Sequence, residues 1–189
     1  MSKATDAHSP ELARPARAPS AKKRPDIEIA AAVSLPLADA PVWEWAGTVG
    51  LHDTSGWTTN QLAGIAAGNA RLYARSRLTA AHWLGEAEDA AQVAAALVDN
   101  AVRHGSAVQV PLRLALIATG ELLIEATDIR PEFPGLADAL KWEPAEFDRR
   151  RRGLWQARRY GATVSFAVSA DGMGKTVQAV MMPTPGVAA

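Results

Sequence analysis

The sequence predicts an α+β domain, a two-layer α/β sandwich in which a mainly antiparallel sheet is backed by helices. Three observations predict it. Two long segments, from Thr58 and from Glu86, carry apolar residues at helical spacing. Shorter segments before and after them alternate or run apolar at strand length. The later strands come in pairs joined by glycine turns, which favours hairpins over parallel crossovers. At 189 residues and 48% hydrophobic content, the chain is long enough for one such domain with its own core and a tail.

Residues 1–40 are rich in Ala, Pro, Ser, Lys and Arg without apolar period, the composition of a disordered tail; residues 41–189 are assigned to the domain. "VWEWAGTV", from Val42, alternates large apolar residues and reads as a first strand. From Thr58 a helix follows, with Leu62, Ile65, Leu72, Leu78 and Trp83 as its apolar positions, Thr59 or Asn60 as its cap and Gly85 as its stop. A second helix opens at the acidic "EAED", which suits a positive helix N-terminus, and stops at Gly105 as a left-handed residue. "AVQVPLRLALI" and "ELLIEATD" are two strands around an "ATG" turn, and Pro111 marks the first of them as an edge or bulged strand. A long polar connection with three prolines leads to a short helix over about 154–160. "ATVSFAVSA", "DGMG" and "KTVQAVMMP" close the chain as strand, turn and strand.

Twenty basic and twenty acidic residues cancel, so no overall charge draws the chain to nucleic acid or to an acidic membrane. Cysteine is absent, which excludes disulfide scaffolds, thiol nucleophiles and cysteine-based metal sites. Lys22, Lys23 and Arg24 before "IEIAAAVSLPLADA" mimic a signal peptide, but Glu28 and Pro36 interrupt it and the basic cluster lies far from the start. No apolar run approaches a membrane-spanning length, and the expectation is a cytoplasmic protein.

The chemistry concentrates in four places. Asn100 and His104, four apart in "ALVDNAVRHG", share a helix face; an amide oxygen there suits Mg²⁺, while the plainer reading is a polar helix end. Asp128 ends an apolar strand, where a carboxylate accepts a hydrogen bond from an exocyclic amine or starts an Asx-turn. "DGMGKT" resembles a phosphate loop only superficially: Ser169 stands where the first glycine is needed, and a strand follows where a helix is required. Arg149 to Arg152 precede Gly153 and a helix N-terminus, which reads as a solvated charge run, a nucleic-acid patch or a phosphate contact.

Taken in order, these features resemble the GHKL or histidine-kinase-like ATPase superfamily, and more closely the stand-alone ATP-binding anti-sigma regulators of actinobacteria. "ALVDNAVRHG" is similar to the family's ELVTNAVRHG, "ATDIRPEFP" to VxDxSxxxP, "RRGLWQA" to GRGLxLV, and "DGMGKTVQAV" to GGGKTVWAEL. The resemblance covers roughly residues 58–183 and implies a Bergerat-type sandwich with ATP and Mg²⁺ as ligands. It implies Asn100 on the metal, Asp128 on the adenine amine, Gly153 at the lid and Thr176 near the base. The nucleotide-binding set it implies is Asn100, Arg103, His104, Asp128, Arg152, Gly153, Leu154, Gly174 and Thr176.

One departure decides the expected activity. The family's general base is a Glu four residues before the Asn, and here that position is Ala96, so no catalytic residue is assigned. Asp99 does not replace it, because an adjacent residue points about 100° away around the helix. Gln156 and Ala157 stand where the lid helix usually has Leu-Val. The function expected is a regulatory ATP-binding protein that holds a protein partner, a sigma factor or an anti-anti-sigma factor, with weak or no catalysis. The alternative is an active serine/threonine kinase or ATPase of the same family. A homodimer is compatible with either. Nucleic-acid binding through Arg149 to Arg152 is disfavoured by the neutral net charge and the lack of interleaved aromatics.

Overall fold

The computed structural model describes residues 40–50, 55–105, 109–132 and 153–184. The tail over 1–39, Arg149 to Arg152 and most of the proline-rich connection lie outside the described residues.

Helix α1 (Thr59–Ala80) starts one residue earlier than its sequence suggests. Thr58, not Thr59 or Asn60, is the cap: its hydroxyl accepts from the Gln61 N–H and the Gln61 side chain accepts from the Thr58 N–H, a reciprocal capping box. The helix also ends before Gly85. Ala81 caps it and His82 turns the chain at φ 52°. Gly85 is needed for another reason, since a Cβ there would stand 2.4 Å from the buried Trp83 ring. That ring is held in turn by its Nε1–H, which donates to the Gly120 carbonyl at 3.2 Å.

The buried face of α1 differs in part from the expected one, since Leu78 and Trp83 are buried and Leu62 packs against the core as expected. Ala63, Ala66, Ala70, Ala74 and Leu78 are buried, whereas Ile65 and Leu72 are 39% and 65% exposed. The physical reason is the neighbour. Helix α2 (Ala87–Gly105) packs along the whole of α1, and methyl side chains let the two backbones approach where larger ones would hold them apart. Helix α2 opens with Glu88 and Asp89, as a positive N-terminus favours. It touches α1 on one side and the sheet on the other, so most of its surface is buried, and Glu88, Gln92, Asp99 and Arg103 keep to the remaining stripe.

The sheet has five antiparallel strands: β1 (Trp43–Gly50), β2 (Gln109–Leu116), β3 (Leu122–Asp128), β4 (Thr163–Val168) and β5 (Lys175–Met181). Their spatial order is β1-β2-β3-β5-β4. A five-residue helix, α3 (Trp155–Arg159), precedes β4. The predicted two-layer α/β sandwich is therefore the observed one: helices on one face of a mainly antiparallel sheet. Strand β2 is interior, not an edge as Pro111 suggested. Pairing with β3 begins only at Leu112, so Pro111 is opposed by Thr48 alone and its missing N–H falls at a local edge.

Register puts Leu112, Leu114 and Leu116 beside Ala126, Ile124 and Leu122, and these beside Val177, Ala179 and Met181. Those rows face α2 and form the core. The opposite face carries a polar chain across the strands. Arg113 donates to Glu44 at 2.7 Å and to Glu125 at 2.6 Å, Gln178 donates to Glu125 at 2.6 Å, and Ser165 donates to Gln178 at 3.5 Å. Both hairpins turn at a left-handed glycine, Gly120 at φ 88° between β2 and β3 and Gly172 at φ 69° between β4 and β5.

Candidate functional site around the end of strand β3

Asp128 is the last residue of β3 and only 2% exposed. Its Oδ1 accepts two hydrogen bonds. One comes from the Arg130 backbone N–H at 2.9 Å, which is the Asx-turn foreseen as the plainer reading. The other comes from Lys175 Nζ at 2.9 Å, and Lys175, at 1% exposure, also donates to the Arg130 carbonyl at 2.8 Å. Strand pairing sets up this ion pair, because Asp128 and Lys175 are cross-strand partners with both side chains on the helix-facing side. Oδ2 of the same carboxylate is sealed from solvent and has no hydrogen-bond partner among the described residues.

Two glycines let the elements close around Asp128. A Cβ on Gly105 would stand 2.3 Å from the Asp128 Cβ, and one on Gly174 would stand 2.4 Å from the Asp128 carbonyl oxygen. Gly105 is thus not a left-handed stop; its φ is ordinary, and it is required because α2 ends against the β3 terminus. Gly174 lies next to Asp128 through its backbone, inside the β4–β5 turn.

Asn100 belongs to the same part of α2. It is 6% exposed, and its Nδ2 has no hydrogen-bond partner among the described residues. A buried amide donor and a buried carboxylate acceptor, both unsatisfied, are thus carried by α2 and β3, which pack on each other. Leaving such a group unpaired costs about 1–3 kcal/mol. A molecule bearing both an acceptor and a donor would offset that cost. The donor and acceptor ends of the Asn100 amide exchange by rotation about its last side-chain bond, so it can address a phosphate oxygen or a cation. Among the described residues no three His, Asp or Glu side chains cluster to hold a metal. Asn100 alone suits a cation whose other ligands are phosphates and water, the usual situation of Mg²⁺.

The other expected site residues separate. His104 is exposed in the last turn of α2, where a cation is favoured by the helix dipole. Arg103 donates to Asp99 at 2.7 Å and also to Asn60, tying the last turn of α2 to the first turn of α1. Leu154 is buried beneath the start of α3, and Gly153 faces open space. Thr176 does not join the site. Its side chain is on the opposite face of the sheet, hydrogen-bonded to the Thr127 hydroxyl at 2.9 Å. The reason is the two-residue period of β5: Thr176 alternates with Lys175 and Val177, which face the helices. Arg152 lies outside the described residues.

Ala96 lines a cavity of about 340 Å³ between α1, α2 and α3, together with Gly68, Arg71, Asp99, Arg103 and Gln156. Asp99, the nearest carboxylate in sequence, is held by Arg103, and among the described residues no other acid lines the cavity at Ala96. Lys175 is the residue that sequence reasoning passed over, and Gly105 the one it assigned to a helix stop alone. The signal for Lys175 is present in the sequence: counting by twos back from Met181, Ala179 and Val177 puts a lysine on the core face, where only an acid across the ladder can accompany it. No family model matches the chain, and no curated protein matches it.

Proposed function

We propose that the protein is a regulatory ATP-binding protein that works by holding a protein partner, with little or no catalysis of its own. The observation that carries the reading is Oδ2 of Asp128, sealed at the end of β3 without a partner among the described residues, while Oδ1 accepts two hydrogen bonds. An exocyclic amine is a hydrogen-bond donor of the right kind for it. Asn100, the second unsatisfied side chain, is available to the phosphates or to a phosphate-bound Mg²⁺. When bound, the metal would neutralise triphosphate charge. The chain's own part is to anchor the base at Asp128 and the metal or phosphates at Asn100.

The weak catalysis follows from Ala96. A methyl group takes no proton from water or from a hydroxyl, and Asp99 is committed to Arg103. A positioned general base is worth about 10²–10⁴-fold in rate, so its loss leaves binding without efficient turnover. A nucleotide that is held but not consumed suits a protein whose output is an interaction. The sequence resemblance to anti-sigma regulators names the partner class, a sigma factor or an anti-anti-sigma factor in the cytoplasm, with a homodimer as the compatible assembly. No helix among the described residues is long and apolar enough to cross a membrane.

The experiment is calorimetric titration of the full chain with Mg-ATP and with the analogue whose purine lacks the exocyclic amine. Losing one hydrogen bond to a charged, buried acceptor costs about 1.5–3 kcal/mol, so the analogue should bind on the order of tenfold to a hundredfold more weakly. Equal affinities would remove Asp128 from base recognition without any mutation that disturbs the fold.

A further inference from the structure

We propose that the cavity between α1, α2 and α3 is the docking site for an acidic helix of the protein partner. This rests on the partner-holding part of the function above and not on the nucleotide. Among the described residues, the ionisable side chains in its lining are Arg71, Asp99 and Arg103, so cations outnumber acids. Arg71 donates to Glu88 through Nε and Nη2, and Arg103 donates to Asp99 through Nε and to Asn60 through Nη1. Nη1 of Arg71 and Nη2 of Arg103 have no hydrogen-bond partner among the described residues, and the two side chains are 46% and 28% exposed. Each guanidinium therefore keeps donors for a second carboxylate.

The two arginines stand at opposite ends of the cavity. Arg103 reaches the first turn of α1 at Asn60, and Arg71 reaches the first turn of α2 at Glu88. About three helical turns of α1, on the order of 16 Å, separate Asn60 from Arg71. Between them the lining is small: Gly64, Gly68 and Ala96. Glycine is, after proline, the least favourable residue inside a helix. A Cβ at Gly64 or Gly68 would meet nothing within 4 Å, and neither has a left-handed φ, so the chain's own packing requires neither glycine. What they provide is room for another backbone to approach α1 closely. Ile65 and Leu72, 39% and 65% exposed on the outer side of α1, supply the apolar contact of a helix laid in a groove. Charge decides the occupant. Helix α1 carries Arg71, Arg75 and Arg77 and no acid, so a second copy of α1 would bring like charges, while an acidic amphipathic helix brings opposite ones.

The probe is a library of helical peptides displayed on phage and selected on the full chain without nucleotide. Enriched sequences should carry Asp or Glu two to three turns apart on one face, with small or apolar residues between. Synthetic copies should bind wild-type protein saturably, and about fivefold to tenfold more weakly to Arg71→Gln and to Arg103→Gln. Gly68→Leu should fill the groove and weaken binding by about tenfold or more, while its thermal midpoint is unchanged or raised, because leucine is the better helix former. A damaged fold cannot give that combination. Peptides enriched without acids, or bound equally by all three variants, overturn the proposal while leaving the partner-holding reading intact. Single-stranded DNA bound through the same arginines more tightly than any enriched peptide overturns it too. Absence of any enriched peptide overturns the proposal and counts against the partner-holding reading as well.

Discussion

Asp128 shows how far single residues can be read. Its position at the end of an apolar strand marks it as a candidate, and the Asx-turn to Arg130 is the plainer of its two sequence readings. Its partner was less obvious. Lys175 sits in "DGMGKT", where the glycines draw attention to the turn, and only strand parity and register reveal that the lysine is buried opposite the acid. Thr176 was misplaced for the same reason, one step out of phase. Gly105 was read as a helix stop when its role is contact, a property that depends on β3 and is invisible in α2 alone. Gly105→Ala should therefore cost about 1–3 kcal/mol of stability by overpacking, against the small gain expected for Gly→Ala in a helix of ordinary φ. Denaturant midpoints decide it, and an unchanged or raised midpoint would show that α2 does not close on Asp128. Ala96→Glu should place a carboxylate at the edge of a cavity that also holds Arg71, Arg103 and Gln156, so the new charge has polar neighbours. Single-turnover assays with Mg-ATP should then show hydrolysis rising by about 10²-fold or more over wild type. A folded variant with no gain would mean that the missing carboxylate is not what limits turnover.

At the scale of elements, type and order were legible because the hydrophobic period changes cleanly between helix and strand; faces and ends were not. Helix α1 misleads because Ile65 and Leu72 look like part of a core stripe, whereas the residues buried beside α2 are Ala63, Ala66, Ala70 and Ala74. Close helix packing rewards small residues, which a search for large apolar ones passes over. Ala70→Leu should accordingly destabilise by about 1–3 kcal/mol, although leucine is a good helix former and more hydrophobic. A thermal melt at or above the wild-type midpoint would contradict the tight contact. On the sheet's other face, Arg113 binds Glu44 and Glu125. The hydrogen bond from Arg113, and then its charge, lower the Glu44 carboxyl from its ordinary 4.5, while the Glu44 bond helps push Arg113 up. A lowered carboxylate stabilises the fold above its unfolded value and loses that contribution as pH falls through its folded value. The stability difference between wild type and Arg113→Gln should therefore be largest at neutral pH and shrink below 4.5. A difference independent of pH would assign the role of Arg113 to packing instead. Glu44 is exposed, so its share of that difference is small.

For the whole molecule, an apolar helix layer on one face and a polar lattice on the other follow from the alternation of five strands, and that alternation is written in the sequence. The site follows from topology. Strand β3 is central, so its end meets the end of α2 and the start of β5 at one place. Asn100, Asp128, Gly105, Gly174 and Lys175 come from three separate stretches of chain, and only the fold puts the last three against Asp128. We propose that this place holds an adenine nucleotide without consuming it. Titration of the purified full chain with ATP and Mg²⁺, with product measured in the same samples, tests it most directly. Saturable binding with turnover near background is the predicted result, and either absence of binding or turnover at the rate of an ordinary kinase would contradict it.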